Sequence, residues 1–227
     1  MNNIVITGAS RGIGYETALL LSKNPQNQII ALSRNPEPLK ELDLPNVYAF
    51  TFDLTNFDQE LISSIINRFG EIHILINNAG TLLNQPFIEI SEKNWLDIFQ
   101  VNFFGAVKLI RSVLPCMGKN KKAHIVNIGS MGGFQGSVKF AGLSAYSASK
   151  AALANFTECL AVELKDKNIA INCLALGAVE TEMFREAFPM ASAPLKDEQM
   201  AEHLAWFAQN GHHFYQGKIL PVALSIP

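Results

Sequence analysis

Thr7-Gly8-Ala9-Ser10-Arg11-Gly12-Ile13-Gly14 is the stretch on which the reading of the chain turns. A run of β-formers, Asn3–Thr7, leads into it, and apolar residues at helical spacing, Ile13–Ser22, follow it. Strand, glycine turn and helix in succession form the arrangement that holds a dinucleotide pyrophosphate. Gly8 permits the tight turn, Gly12 lets the backbone approach a phosphate, and Gly14 lets the helix pack closely on the sheet. The helix N-terminus then aims free N–H groups and a positive dipole end at the phosphates. The spacing is G-x-x-x-G-x-G rather than G-x-G-x-x-G.

Outward from this turn, short apolar runs alternate with helical patterns. The runs are Gln28–Ser33, Asn46–Phe52, His73–Asn77, Ala123–Ile128, Ala170–Ala175 and Lys218–Val222. Helical periodicity covers Asp58–Phe69, about Ser91–Pro115, Ala145–Lys165 and about Asp197–Gln209. This predicts an α/β fold, a single-domain Rossmann-type doubly wound parallel sheet over residues 1–227. About seven strands are expected, in the order 3-2-1-4-5-6-7, with helices on both faces. The runs are apolar throughout, as strands covered on both faces are. The least regular stretch, Met183–Lys196, holds Pro189 and Pro194 and reads as a flexible flap. Met183, Phe184, Phe188 and Met190 in it read equally as ordinary packing or as a cover over a nonpolar substrate. Phe156, Leu160 and Leu164 read as core or as a contact with a second subunit.

Composition agrees with one folded unit. The 227 residues carry 18 basic and 20 acidic side chains, and 48% are hydrophobic, which excludes a disordered chain. No basic excess marks a nucleic-acid partner. No apolar run reaches the roughly 20 residues that a membrane span needs. The N-terminus has neither a basic start nor a long apolar run, so a cytoplasmic protein is expected. Cys116, Cys159 and Cys173 are unpatterned and are expected to be buried small hydrophobes in a reducing compartment. His212 and His213, adjacent and therefore diverging on a helix, have no partner at ligand spacing, so no metal site is expected.

The second strand ends in Ser33-Arg34-Asn35, without the acid that would bond a ribose 2′-hydroxyl. Arg34 there, helped by Arg11 in the turn, suits a 2′-phosphate, so NADP(H) is expected over NAD(H). Further on, Tyr146 and Lys150 stand four apart on one helix face. An ammonium beside a phenol favours the phenolate and brings it toward proton exchange near neutral pH.

With Thr7–Gly14, Asn77-Asn78-Ala79-Gly80, Asn102, Ser130 and Tyr146/Lys150 in that order, the chain resembles the short-chain dehydrogenase/reductase family from Asn3 to about Val222. The resemblance implies an enzyme that interconverts a ketone or aldehyde and an alcohol. It implies Tyr146 as general acid/base and Lys150 as the group that lowers its pKa and holds the nicotinamide ribose. Ser130 would bond the substrate oxygen, and Asn102 would hold a helix irregularity and a proton relay. Gly8, Ser10, Arg11, Gly12, Ile13 and Gly14 would meet the phosphates, and Ser33, Arg34, Asp53 and Leu54 the adenosine half. Asn78, Ala79 and Gly80 would close the adenine-ribose side, and Gly177, Val179 and Thr181 would line the nicotinamide. The partner implied is a small carbonyl or alcohol compound, and the assembly a homodimer or homotetramer. A competing reading is an NADP(H)-binding sensor or scaffold with little turnover.

Three departures from the family stand out. Ser130 and Tyr146 are 16 positions apart, which makes the intervening loop Met131–Leu143 longer than usual by about three residues. Ser137 in that loop is a weaker alternative to Ser130. The usual Pro-Gly after the sixth strand reads Leu176-Gly177, and the chain ends shortly after the seventh, at Ser225-Ile226-Pro227. The short ending leaves the type of oligomer open.

Overall fold

The computed structural model describes residues 1–224, so the ending at Ser225–Pro227 lies outside the described residues. The chain opens with β1 (Asn2–Thr7), α1 (Gly12–Ser22), β2 (Asn27–Ser33), α2 (Glu37–Lys40), β3 (Val47–Thr51), α3 (Gln59–Phe69) and β4 (Ile74–Asn77). It continues through α4 (Glu92–Phe99), α5 (Gly105–Val113), β5 (Ala123–Ser130), α6 (Ser144–Glu163) and β6 (Ile169–Leu176). The last third holds β7 (Val179–Glu180), α7 (Glu182–Ala187), β8 (Leu195–Lys196), α8 (Asp197–Asn210) and β9 (Ile219–Val222). Seven strands form one parallel sheet in the order β3-β2-β1-β4-β5-β6-β9. The expected fold and strand order are therefore observed, with β9 as the seventh strand of the sheet.

The continuous apolar runs follow from burial on both faces. Val5, Leu75, Ile125 and Ile171 point to the side covered by α3, α5 and α6. Ile4, Ile76 and Val126 point to the side of α1 and α8, where Leu21, Leu204 and Phe207 meet them. Each such side chain gains about 1.5–3 kcal/mol on leaving water. The connections run one way from β1 to β3 and the other way from β4 to β6. The order therefore reverses between β1 and β4, and a crevice opens at their C-terminal ends.

Several elements differ locally from the expectation or add detail to it. The helix expected over about 91–115 is interrupted: α4 passes into a π turn, Gln100–Phe104, before α5 begins. The stretch 183–196 holds α7, capped by the Thr181 hydroxyl, and β8, which pairs with β7. Cys116 and Cys173 are buried, but Cys159 is exposed. It lies on α6 two residues past the buried Thr157, a step of 200° that turns it to the outer face. Leu160 and Leu164 belong to the core, with Phe156 half-buried against it. The His212 and His213 rings do not diverge: in a 3-10 turn, rather than an α-helix, their centroids lie 4.0 Å apart.

Candidate active site

The glycine turn is stitched to the end of β4. Gly8 and Gly12 have φ of 68° and 56°, which only glycine adopts freely. Thr7 Oγ1 accepts from the backbone N–H groups of Asn78 and Ala79 at 3.1 and 3.0 Å. Asn78 Nδ2 donates in turn to the carbonyls of Thr7 and Gly8, at 3.0 and 3.1 Å. A β-carbon at Gly8 would stand 2.8 Å from Ala79 Cα. Ser10, Ile13, Ala79 and Gly80 line the crevice beside this junction.

Ser33 and Arg34 line the crevice where β2 ends, and Asp53 and Leu54 where β3 ends. Asp53 accepts from the Thr55 backbone N–H and hydroxyl, both at 2.8 Å. The backbone hydrogen bond from Thr55 is the main cause holding its carboxyl below the ordinary range, and Arg34 nearby adds to it. Arg34 has no ion-pair partner among the described residues. Arg11 differs. Its guanidinium pairs with Glu182 and lies 3.8 Å from Glu186, because α7 crosses in front of the turn. Arg34 is thus the free cation of the two expected at a 2′-phosphate.

Tyr146 and Lys150 rise one turn apart from the start of α6, beside the end of β5. Lys150 Nζ donates to the Ile128 carbonyl at 2.7 Å and lies 6.0 Å from the Tyr146 ring centroid. Burial pushes the lysine down to about 8. Burial also raises the Tyr146 phenol, against a hydrogen bond with Ser130 that lowers it. The ammonium expected to act on Tyr146 is turned to the strand backbone, and the causes acting on the phenol here are burial and Ser130. Ser130 ends β5, and its Oγ also accepts from Gly132 N–H at 3.1 Å. Gly133 lets this turn reach α6: a β-carbon there would stand 2.6 Å from Ala151 N.

Asn102 is buried at the centre of the π turn. Its Oδ1 accepts from Thr81 N–H at 2.8 Å, and its Nδ2 donates to Thr81 O at 2.9 Å and Ser149 Oγ at 3.0 Å. A β-carbon at Gly80 would lie 3.4 Å from both Asn102 Oδ1 and Lys150 Nζ, so the two groups flank one glycine. The irregularity thus lets one amide brace the β4 loop against α6.

Gly8, Ser10, Arg11, Gly12, Ile13, Arg34, Asp53, Ser130, Tyr146 and Lys150 open onto one cleft of about 1190 Å³, whereas Gly14 and the buried Asn102 lie behind its wall. Gly177, Val179 and Thr181 form its side after β6. Gly177 N–H donates to Val222 O at 2.9 Å, and the Thr181 hydroxyl is engaged as the α7 cap. The two glycines at positive φ and the long cleft fit a dinucleotide, with Arg34 lining the cleft where β2 ends. Ser137 bonds carbonyls of its own loop, Met131 and Phe134, and does not line the cleft. Asn84 carried no sequence signal, yet its Nδ2 donates to Ala187 O at 2.9 Å and joins the loop after β4 to α7. Among the described residues no three His, Cys, Asp or Glu side chains are grouped to hold a metal, and no helix is long and apolar enough to cross a membrane.

Comparison with known proteins agrees with this geometry. Residues 2–192 match the family model for short chain dehydrogenase. The chain is 30% identical over 237 residues, 96% of its length and 94% of the other's, to 3-oxoacyl-[acyl-carrier-protein] reductase FabG of Thermotoga maritima. It is 36% identical to retinol dehydrogenase 8 of Bos taurus, over 79% of this chain and 59% of that one. Among solved structures, ElxO with NADP bound superposes with a TM-score of 0.85 at 27% identity, covering 97% of this chain and 96% of that chain. The chain belongs to the short chain dehydrogenase family, oxidoreductases that interconvert alcohol and carbonyl groups.

Proposed function

We propose that the protein is an NADP(H)-dependent oxidoreductase that interconverts a ketone or aldehyde and an alcohol, with Tyr146 as general acid/base. The observation that carries this reading is that Ser130, Tyr146 and Lys150 line the same cleft as the glycine turn. The dinucleotide, when bound, supplies or accepts the hydride. The backbone of Gly8–Gly14 would hold its phosphates, Asp53 and Leu54 its adenosine half, and Arg34 the 2′-phosphate. Ser130 would orient the substrate oxygen. Tyr146, kept protonated at neutral pH by burial, would give that oxygen its proton in reduction. Lys150, held near its own titration point at about 8, is suited to return a proton toward Tyr146, with Asn102 and Ser149 keeping α6 in place.

Exposed Leu96, Phe104 and Val162, on α4, the π turn and α6, support assembly as a homodimer or homotetramer. The function is tested by a panel of carbonyl compounds read by NADPH consumption, with NADH run in parallel. Turnover with NADPH preferred is expected. NADPH bound tightly with no turnover across the panel would make the protein a nucleotide-binding sensor instead.

A further inference from the structure

Resting on that reading of the site, we propose that the substrate end of the cleft selects a neutral, apolar carbonyl compound and rejects one bearing a carboxylate or phosphate near the reacting group. The walls beside Ser130 and Tyr146 come from two segments, the long loop 131–143 and the stretch 181–194. They present Met131, Phe140, Leu143, Met183, Phe184 and Phe188 to the cleft. An anion seated among these side chains loses its water and gains nothing in return, unless a cation stands near.

The cations that could serve are engaged. Lys139 is the one basic residue of the long loop, and its Nζ donates to Phe134 O and Ser137 Oγ of that same loop, both at 2.6 Å. Arg185 is the one basic residue of 181–194, and it pairs with Glu180 at 3.2 Å. Arg11 is paired with Glu182, and Lys150 is turned to Ile128 O. Arg34, without an ion pair among the described residues, follows β2, three strands from β5 in the sheet order, or about 14 Å at the usual strand spacing. It serves the far end of the cleft.

The walls are also held where they are. Asn84 Nδ2 bonds Ala187 O, and Gln85 N–H donates to Gly142 O at 2.9 Å, so one loop braces both segments. Gly142, at φ 83°, permits that approach. Neither Lys139 nor Arg185 lines the cleft, and each is bonded to a near neighbour in sequence.

The test compares ethyl benzoylformate with benzoylformate, an ester and an acid that share the reacting ketone. Turnover is measured with NADPH, and binding by calorimetry to the enzyme loaded with NADP+, where no reduction occurs. The ester is expected to exceed the acid by about 50-fold in kcat/KM, mostly through KM, and by a similar factor in binding. Equal binding of the two, including binding of neither, or a preference for the acid, overturns the proposal whatever the turnover. Selective binding of the ester without turnover upholds the pocket assignment, and the reductase reading then falls only if the whole carbonyl panel also shows no turnover. Phe140→Arg, at a half-exposed wall position, is expected to narrow the ratio by about tenfold. An unchanged ratio in that variant overturns the assignment of selectivity to this wall.

Discussion

Lys150 Nζ is anchored to the carbonyl of Ile128 at 2.7 Å, two residues before Ser130 on the same strand. The strand that presents Ser130 thus also sets the position of the lysine. The phenol of Tyr146 stands beside this anchor rather than on it, with the ring centroid 6.0 Å from Nζ. Burial acts on both groups in the sense that favours their neutral forms.

A first prediction concerns stability against pH. Lys150 titrates at about 8 in the folded chain and near 10.5 when unfolded. Between these values the unfolded chain binds more protons, so stability rises with pH across the window. Below pH 8 the full cost of the buried charge applies, on the order of 3 kcal/mol. Lys150→Met removes the titration. The difference in unfolding free energy, wild type minus variant, is expected to increase from pH 8 to pH 10 in chemical denaturation. A flat difference would show that the lysine keeps its ordinary pKa in the fold.

Tyr146→Phe removes one hydroxyl and leaves the ring that packs at the start of α6. If that hydroxyl carries the proton, kcat falls by about 10²–10⁴-fold. NADPH affinity, read by quenching or transfer of nicotinamide fluorescence, is expected to change by less than about threefold, since the phosphates are held elsewhere. Wild-type rates in the variant would remove Tyr146 from the proton step.

Arg34→Asp tests the choice of cofactor. The guanidinium has no ion pair among the described residues and is close enough to Asp53 to help lower its pKa. Reversing the charge is expected to weaken NADPH by about 30-fold and NADH by no more than about threefold. Arg11→Ala is expected to do less, because Glu182 and Glu186 already engage that side chain. Equal losses of both cofactors in Arg34→Asp would place the 2′-phosphate elsewhere.

What could be read from the sequence was local or periodic. The turn Thr7–Gly14, the apolar runs and the Tyr146/Lys150 spacing each lie within one or two elements, and short-range rules apply to them. The parallel sheet followed from β-α alternation, and its order came with the dinucleotide-binding type of fold. What could not be read depends on distant partners. Asn84 and Ala187 are 103 positions apart, and Arg11 and Glu182 are 171 apart. The outward face of Cys159 required the exact rotation of α6 on the sheet. The direction of the Tyr146 and Lys150 shifts required knowledge of how deeply each is buried. A charge next to a phenol is visible in the spacing, but the competing carbonyl of Ile128 is not.

Gly14→Ala tests the close approach on which the dinucleotide site depends. Gly14 lies in the first turn of α1, where alanine would ordinarily favour the helix by about 1 kcal/mol. Here the added carbon would overlap both Asn78 Nδ2 and the Gly8 carbonyl, the two atoms that join the glycine turn to β4. Neither is the free end of a flexible chain, so the helix must move away from the sheet. The variant is expected to lose about 1–3 kcal/mol of stability and to bind NADPH at least about tenfold more weakly. Gly70→Ala provides the contrast: at φ 73° it strains the end of α3, but a β-carbon there meets nothing within 4 Å. It should cost about 1–2 kcal/mol and leave NADPH binding unchanged. Denaturant titration and nucleotide binding measured on both variants separate the two effects. If Gly14→Ala bound NADPH as well as Gly70→Ala does, the glycine would be serving the helix alone, and the junction between β1 and β4 would not be what shapes the phosphate end of the cleft.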